Sequence, residues 1–259
     1  MGYRAKLNKE NGAKKSSKIS WKDIKKIYPE EKARLSLIRN PWGYFVVRPI
    51  SFRITPLFIK LGFSANAVTV LEFVLIICGL AFIISGAVYR YNLIIGALII
   101  NLARILDRVD GNIARFHNRC SKFGEIFDFT VGIFSATFLP LCLGISIYLG
   151  AANSMSIWGR KLPGLFWLLV GITDSWIYLF RRALSLKYQI LSADKAWKPK
   201  WKTVSILSAL PFSFKEPLLI VVLIIGVLDF FLFGYMVLNL IALFIMVTMS
   251  LWKTSEKTK

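Results

Sequence analysis

Long apolar segments alternate with short polar ones over most of the chain. From residue 67 onward, the apolar segments reach the length of about 20 residues that a helix needs to cross a bilayer. Six such spans are predicted, at about 67–89, 91–114, 125–149, 162–182, 216–232 and 234–252. The last two share one apolar run, which is divided near Asp229 and Gly234. The pattern therefore predicts an all-α integral membrane protein with about six transmembrane helices.

Before the first span, apolar positions recur at helical spacing among basic residues. Between residues 21 and 28 they are three or four positions apart, as in a short amphipathic helix. These positions are Trp21, Ile24, Ile27 and Tyr28. Such a helix either lies on the membrane or packs against the rest of the protein, and the pattern fits both. A second interfacial stretch over 41–61 precedes Ser64, which is suited to cap the first transmembrane helix.

The basic residues set the expected orientation and partners. The net charge is +20, and residues 1–39 hold twelve Lys or Arg against four Asp or Glu. With further basic residues over 181–215 and 253–259, this asymmetry predicts that both termini are cytoplasmic. Alternation of basic segments with apolar spans favours anionic membrane lipids over nucleic acid as partners. Two parts are predicted, a basic extension over 1–39 that is disordered over 1–18, and a membrane domain over 40–259.

A polar interruption lies where the second and third spans meet. Asp107 and Asp110 are three residues apart and share a face of one helix, and Asp128 lies near the start of the next helix. A helix, a turn and a second helix would bring the three carboxylates together. Charged groups in a membrane are costly unless paired or bound, which marks a functional site. Oxygen ligands without a Cys or His cluster favour Mg²⁺ or Mn²⁺. The alternative is a salt-bridge cluster of Asp107 and Asp110 with Arg104 and Arg108.

The residues around these acids are suited to a ligand that contains phosphate. Gly111 and Ala114 remove side-chain bulk and leave room for a flat or bulky group. Arg115 carries a planar, permanently charged guanidinium that matches phosphate oxygens. Glu72 is a further acid, isolated inside the first span, and it should face the protein interior or a polar cavity. It is either the partner of an arginine such as Arg104 or a relocated catalytic carboxylate.

These residues resemble the signature of the CDP-alcohol phosphotransferases, also called class I CDP-alcohol phosphatidyltransferases. That signature reads D-x2-D-G-x2-A-R-x8-G-x3-D-x3-D. Seven of its fixed positions are matched at the correct spacing, by Asp107, Asp110, Gly111, Ala114, Arg115, Gly124 and Asp128. The last position is not matched, because Gly132 stands where the family carries a fourth Asp.

The resemblance implies a membrane enzyme of phospholipid or cell-envelope biosynthesis. A phospho-alcohol group would pass from a CDP-alcohol donor to an unidentified acceptor, with release of CMP. Asp107, Asp110 and Asp128 would hold Mg²⁺ or Mn²⁺. The residues implied to approach the nucleotide are Asn66, Thr69, Gly111, Ala114 and Arg115. The resemblance also implies a homodimer. The expected location of the chain is the cell inner membrane.

Asn66 and Thr69 are included because residues 62–69 resemble the family's segment before its first span, with Ala65 in place of a Pro. For Thr69, a purely structural role in starting the helix fits equally well. Near the end of the fourth span, Arg181 and Arg182 are either ligands for the phosphate of an acceptor or anchors at the membrane surface.

The change at Gly132 leaves three interpretations of the activity. In the family, the Asp at this position is taken to be the general base and to help hold the metals. Either Glu72 or Glu125 replaces that base, or the acceptor is already an anion and needs none. The third interpretation is a catalytically silent membrane protein that binds nucleotide or lipid. A transporter is disfavoured, because the acids cluster at one membrane face and not at the midplane.

Overall fold

The computed structural model describes residues 19–119, 121–150, 156–157, 160–193 and 214–255. Nearly all of these residues are helical. The α-helices are α1 (Trp21–Ile27), α2 (Glu30–Arg39), α3 (Arg48–Lys60), α4 (Ala65–Ser85), α5 (Arg90–Phe116), α6 (Lys122–Leu149), α7 (Gly164–Ala193), α8 (Lys215–Ile225) and α9 (Leu228–Ser255). A π-helical turn, Gly43–Val47, leads into α3, and the two-residue strands β1 (Ser156–Ile157) and β2 (Arg160–Lys161) pair antiparallel. The all-helical class predicted from the sequence is confirmed.

Serine residues begin two of the long helices. Ser64 Oγ accepts a hydrogen bond from the backbone N–H of Ala67 over 3.2 Å at the start of α4. Ser121 Oγ accepts one from the backbone N–H of Gly124 over 3.0 Å at the start of α6. These bonds satisfy backbone donors that the first turn of a helix leaves free. The predicted cap at Ser64 is confirmed, and the cap at Ser121 places Asp128 in the second turn of α6.

The short helix α1 packs against α3 through one face. Ile24 is only 3% exposed, whereas Trp21 and Ile27 stay exposed at 42% and 36%. Tyr28, which follows α1, meets Phe52 of α3 edge to face with ring centroids 5.9 Å apart. The predicted amphipathic helix is therefore present and is packed on the protein on one side. Residues 1–18, for which disorder is predicted, lie outside the described residues.

Hydrogen bonds in a buried position attach α3 to α5. Asn112 Nδ2 donates to Thr55 Oγ1 over 3.1 Å and to Ser51 Oγ over 3.4 Å. All three side chains are buried, where polar groups need such partners. The interfacial stretch thus forms a helix docked on the polar end of α5. The chain leaves α3 at Gly62, whose φ of 78° is unstrained only for glycine.

Glycines let the central helices approach one another closely. A Cβ at Gly96 of α5 would lie 2.6 Å from the carbonyl oxygen of Gly79 in α4. A Cβ at Gly171 of α7 would lie 2.6 Å from the carbonyl oxygen of Pro140 in α6. Backbone therefore meets backbone at both crossings, as is common where membrane helices pack through small residues. The apolar core around them includes Ile76, Ile83, Ile100, Leu143 and Trp167.

Three of the described helices are long and apolar enough to cross a membrane, namely Ala65–Ser85, Lys122–Leu149 and Leu228–Thr248. Helices α5 and α7, with 27 and 30 residues, exceed the length of about 20 residues that a span needs, but both carry several charges. Helix α8 has 11 residues and rises only about 16 Å, too little to cross a bilayer alone. The chain is an integral membrane protein, and the number of six spans stays a prediction.

The last helical hairpin breaks at a different residue from the one predicted. Helix α8 ends in a left-handed cap at Gly226, with a φ of 90°. Both Asp229 and Gly234, where the sequence pattern places the break, lie inside α9. The predicted boundary is therefore wrong. The physical reason is that the cap needs a glycine with positive φ, and Gly226 provides it before the apolar run is half complete.

Helix α7 continues beyond its predicted end. The sequence pattern ends the fourth span at residue 182 and predicts a basic loop over 181–215. Helix α7 instead runs to Ala193. The predicted loop is therefore wrong in its first part, because basic residues such as Lys187 are good helix formers and continue the helix past the apolar segment. Residues 194–213 lie outside the described residues.

Candidate metal centre and active site

Three carboxylates from three helices meet at one place, and we call them the acid cluster. Glu72 of α4, Asp107 of α5 and Asp128 of α6 each offer one oxygen, and these oxygens lie within 4.8 Å of one another. The contact between α4 and α5 is the most extensive in the fold, and α4 also packs on α6. Oxygen ligands at about 2.1 Å from a small divalent cation lie up to about 4.2 Å apart. A small inward movement of these side chains would therefore suit such a cation.

Glu72 is the most deeply buried member of the acid cluster. Its residue is 1% exposed, and neither carboxylate oxygen has a hydrogen-bond partner in the described part of the chain. A buried carboxylate without a partner is costly, and a bound cation would remove that cost. Orphaned oxygens beside two further carboxylates form a donor set that fits a hard divalent cation.

Asp110 is held at the edge of this cluster by its own hydrogen bonds. Asp110 Oδ2 accepts from Thr69 Oγ1 over 2.7 Å, and Asp110 Oδ1 accepts from the backbone N–H of Gly111. The sequence predicts that Asp110 joins Asp107 and Asp128. The structure brings those two together with Glu72 as the third acid, and it ties Asp110 to α4 through Thr69.

Asn66 and Thr69 lie at the same end of α4 as Glu72. Asn66 is exposed, and its Oδ1 would lie 3.0 Å from a Cβ at Gly124, the glycine at the start of α6. Thr69 is 3% exposed and donates to Asp110, as described above. The glycine of the signature thus leaves room for the Asn66 side chain between α4 and α6.

Arg115 lies across the small residue of the signature. Its terminal nitrogens would be 3.1 and 3.3 Å from a Cβ at Gly111, so a larger residue there would push the guanidinium aside. Arg115 Nη2 donates to Asn112 Oδ1 over 3.0 Å. The guanidinium carbon is also 5.3 Å from the ring centroid of Tyr28. Ala114 is partly buried on the same stretch of α5. The orientation of the Arg115 guanidinium is therefore fixed from two sides.

Arg48 is a candidate site residue that the sequence did not single out. Its guanidinium carbon is 3.9 Å from the ring centroid of Tyr28, and the residue is 6% exposed. Its Nε has no hydrogen-bond partner among the described residues. Burial, followed by repulsion from Arg108, lowers the pKa of Arg48 to about 10. In the sequence, Arg48 was one of several basic residues over 41–61, a pattern that fits membrane anchoring as well as a site.

Two further arginines pair with acids. Arg108 Nε lies 2.9 Å from Asp107 Oδ2. This ion pair is one of those expected if the acids and arginines of α5 formed only a salt-bridge cluster. Arg104 Nε lies 3.1 Å from Glu216 Oε1 of α8, so Arg104 pairs with that residue and not with Glu72. The sequence did not indicate the role of Glu216, because its contact with Arg104 joins residues 112 positions apart and no periodic pattern predicts it.

A second buried polar group lies between α7 and α9, and we call it the paired cluster. Asn239 Nδ2 donates to Asp174 Oδ1, and Arg181 Nη1 donates to Asn239 Oδ1. Asp174, Arg181 and Asn239 are 1%, 4% and 1% exposed. Arg181 is therefore inside the bundle and not a membrane anchor, whereas the Arg182 guanidinium carbon lies 4.7 Å from the ring centroid of Phe129. In the sequence, the signal that could have indicated this cluster is the presence of polar residues within the apolar spans.

Gly132 lies one helical turn beyond Asp128 on α6. A Cβ at Gly132 would meet no atom of the described residues within 4 Å. A carboxylate side chain at this position would therefore fit without displacing a described neighbour. The space that the fourth Asp of the signature would occupy is open.

A comparison with curated proteins gives no match. The family model described as CDP-alcohol phosphatidyltransferase matches residues 63–252. The matched stretch begins at the end of the interfacial segment, contains the whole acid cluster and reaches into α9. Because it covers well over half of the chain, the chain belongs to the CDP-alcohol phosphatidyltransferase family.

Proposed function

We propose that this protein transfers a phospho-alcohol group from a CDP-alcohol to an acceptor and releases CMP. The family consists of membrane transferases of lipid synthesis, and its members generally use divalent metal ions. The observation that carries the proposal is the acid cluster at the polar ends of α4, α5 and α6. The product would be a phospholipid or a related component of the membrane or cell envelope.

The residues present fit a divalent cation, and Mg²⁺ or Mn²⁺ suits the all-oxygen donor set best. Asp107 and Asp128 would hold it, with Asp110 at the edge of the cluster. Such an ion neutralises negative charge on the diphosphate of the donor and on the departing CMP. The proposal is supported by the two buried oxygens of Glu72, neither of which has a hydrogen-bond partner among the described residues.

The residues of α5 are proposed to hold the donor. The small residues Gly111 and Ala114 reduce side-chain bulk on this part of α5, where Arg115 lies across Gly111, and the cytidine would lie beside them. Arg115 would bind a phosphate oxygen, because its guanidinium is already oriented by Asn112. Asn66 would approach the nucleotide from α4, where its side chain is exposed.

Arg48 extends the positive side of this site. Its guanidinium and that of Arg115 flank the same ring, that of Tyr28, at 3.9 and 5.3 Å. The two guanidinium carbons are therefore no more than 9.2 Å apart, the sum of these two distances. Two cations so close together favour a ligand with more than one negative charge, such as a diphosphate.

The acceptor step forms a bond from an acceptor oxygen to the phosphorus that carries the alcohol, and the bond from that phosphorus to the CMP oxygen breaks. CMP leaves with the bonding electrons. A neutral hydroxyl acceptor also loses its proton, for which the family signature provides a carboxylate at the position of Gly132. Gly132 provides no carboxylate here, so the proton of such an acceptor passes to another group or to solvent.

The decisive experiment measures CMP. Purified full-length protein is incubated with a CDP-alcohol, Mg²⁺ or Mn²⁺ and a panel of alcohol and phosphate acceptors, and CMP is separated from the donor by chromatography. We expect CMP to form with one class of acceptor and to stop on addition of a chelator. Donor binding without CMP from any acceptor would reject the transferase.

A second candidate function follows from Gly132 alone. A chain without the fourth Asp would act as a membrane protein that binds a nucleotide or lipid without turnover. The two candidates differ in one variant. Wild-type protein that binds the donor silently and gains CMP release on Gly132→Asp would support the binding protein, since the open space at this position accepts the larger side chain.

The proposed orientation places both termini and the acid cluster at the cytoplasmic face of the cell inner membrane, with anionic lipids around the basic segments. Single cysteines at positions 10, 195 and 256, which lie outside the described residues, should react with a membrane-impermeant reagent only from the cytoplasmic side. A cysteine at position 155 should react only from the other side. If the cysteines at positions 10 and 256 react from opposite sides of the membrane, the number of spans is odd and the proposed orientation is rejected.

A homodimer is proposed from family membership, and no described residue is assigned to its interface. Chemical crosslinking in native membranes should give a species of twice the monomer mass. A pure monomer under conditions that crosslink a known membrane dimer would reject it.

A further inference from the structure

Glu72 is a buried acid with no hydrogen-bond partner among the described residues. The residue is 1% exposed. The arginine that the sequence offered as a partner, Arg104, is engaged with Glu216 at 3.1 Å. Another basic residue of the site, Arg108, lies 2.9 Å from Asp107. Both arginines thus have carboxylate partners other than Glu72, which leaves the Glu72 oxygens open to an external ligand.

The Glu72 carboxylate points at two other acids. One of its oxygens lies within 4.8 Å of oxygens of both Asp107 and Asp128. Such an approach is unfavourable in a medium of low dielectric constant, unless a cation lies between the groups. A divalent cation bound by all three carboxylates would replace this repulsion with attraction for each of them.

A general base needs direct access to the hydroxyl group that it deprotonates. The side chain of Asp107 is 25% exposed and borders open space, whereas Glu72 is covered almost completely. An acceptor hydroxyl that entered from the exposed side would meet Asp107 before it reached Glu72. The burial of Glu72 therefore suits a side chain that coordinates a bound cation. It does not suit a side chain that exchanges a proton with each acceptor.

The position of the missing Asp explains why an acid should come from α4. In the family signature, four carboxylates stand on two helices, at the positions of Asp107, Asp110, Asp128 and Gly132. Here α6 lacks the fourth carboxylate, and a Cβ at Gly132 would face open space. Helix α4 supplies Glu72, so the site again holds four carboxylates, now from three helices.

We infer that Glu72 is a ligand of the divalent cation and replaces, from α4, the carboxylate that α6 lacks at Gly132. This inference rests on the proposed function for the presence of a cation, but not for the identity of the donor or the acceptor. It assigns Glu72 to metal binding and leaves the proton of a hydroxyl acceptor to another group or to solvent.

The inference is tested by metal binding in the absence of donor. Mn²⁺ is titrated into purified full-length protein in detergent, and the free Mn²⁺ is followed by electron paramagnetic resonance. We expect Glu72→Gln to weaken Mn²⁺ binding by at least ~10-fold, since loss of even a group that only supports a ligand costs ~10–100-fold. Glu72→Asp keeps the charge on a shorter side chain and should give an intermediate affinity.

A compensating variant distinguishes a lost ligand from a damaged fold. Gly132→Asp in the Glu72→Gln background returns a carboxylate to the open position on α6, and it should restore most of the Mn²⁺ affinity. Asp174→Asn is the matched control, because it neutralises another buried acid, one that is hydrogen-bonded to Asn239 and is not a member of the acid cluster. It should leave Mn²⁺ affinity at the wild-type value.

Three outcomes would overturn the inference. Wild-type protein that binds no Mn²⁺ would do so, as would Glu72→Gln protein with wild-type affinity. In the second case, loss of CMP release in the same variant would identify Glu72 as the general base. The third is an unrestored affinity in a well-folded Glu72→Gln, Gly132→Asp double variant. Mn²⁺ binding that depends on Glu72 in a protein that never releases CMP would reject only the proposed function.

Discussion

Among the buried polar groups of the described residues, the paired cluster and the acid cluster differ in the kind of contact that they make. In the paired cluster, an acid, an amide and a guanidinium form one hydrogen-bonded chain from Asp174 through Asn239 to Arg181. In the acid cluster, Glu72 has no hydrogen bond from the described residues, although it is equally buried at 1% exposure. Burial alone therefore does not distinguish the two groups.

This difference in hydrogen bonding indicates which of the two clusters is suited to bind a ligand. Polar residues in a membrane protein are expensive, and those that satisfy one another hold helices together. The paired cluster joins α7 to α9 in this way. The acid cluster gathers like charges from α4, α5 and α6 that repel one another until a cation binds. The paired cluster thus stabilises the bundle, whereas the acid cluster is proposed to bind a cation at a cost in stability.

The largest expected effect comes from removing a carboxylate of the acid cluster. Asp107→Asn and Asp128→Asn should each lower CMP release by ~10³-fold or more, because the cation supplies several kcal/mol of transition-state stabilisation. Binding of the CDP-alcohol should lose its dependence on Mg²⁺ or Mn²⁺. The rate of CMP formation and the binding of a fluorescent donor measure the two effects. Unchanged donor binding in either variant, or in chelator, would remove the metal assignment.

The converse experiment is made in the paired cluster. Asn239→Leu removes the link between Asp174 and Arg181 and leaves both charges buried, which should cost ~1–3 kcal/mol of stability. The thermal unfolding midpoint in detergent should fall, while Mn²⁺ affinity stays at the wild-type value. A fall in metal affinity without loss of stability would mean that the two clusters act as one site and would end the comparison.

A smaller effect is expected where α7 crosses α6, one turn before Asp174. Gly171→Ala places a Cβ 2.6 Å from the Pro140 carbonyl oxygen, so the helices must separate at a cost of ~1–2 kcal/mol. Gly234→Ala is the matched control, because a Cβ there meets no described atom within 4 Å. It should leave stability unchanged or raise it by up to ~1 kcal/mol, since alanine favours helix over glycine. Equal unfolding midpoints for the two variants would contradict the close crossing.

Local spacing was enough to predict the polar ends of α5 and α6. Asp107 and Asp128 lie on helices joined by a short turn, so helix geometry alone places their side chains near each other. The membrane class also follows from local pattern, because span length and composition are local properties. The cap at Ser64 belongs to the same class of feature.

Contacts between distant helices could not be predicted in this way. The neighbours of Asp110 depend on how α4 is rotated against α5, and Thr69 reaches its carboxylate over 2.7 Å. The pairing of Arg104 with Glu216 depends on where α8 packs, and nothing in either helix encodes it. The break at Gly226 was missed for a related reason, since two glycines lie in one apolar run and only the backbone shows which has positive φ.

The smallest expected effect is on stability, at Arg48, the buried cation next to the acid cluster. Burial lowers the pKa of Arg48 to about 10, below the ordinary value that it has in the unfolded chain, so the charged form is less favourable in the folded protein. This penalty is present in full below pH 10 and is relieved only as the pH rises through the interval between these two values. Arg48→Met removes the penalty but also the contact with Tyr28, which is worth ~0.5–2 kcal/mol.

The two contributions of Arg48 oppose each other, so the net change in stability of Arg48→Met should stay within ~1 kcal/mol at neutral pH. Donor affinity should nevertheless fall a few-fold, by ~5-fold for each kcal/mol of lost phosphate contact, whereas Mn²⁺ affinity should not fall. Asn239→Leu should show the reverse, with lower stability and unchanged donor affinity. Unfolding midpoints and donor titrations on the two variants give both quantities. An Arg48→Met protein that is strongly destabilised and binds donor normally would place Arg48 with the paired cluster, as a residue that holds helices together.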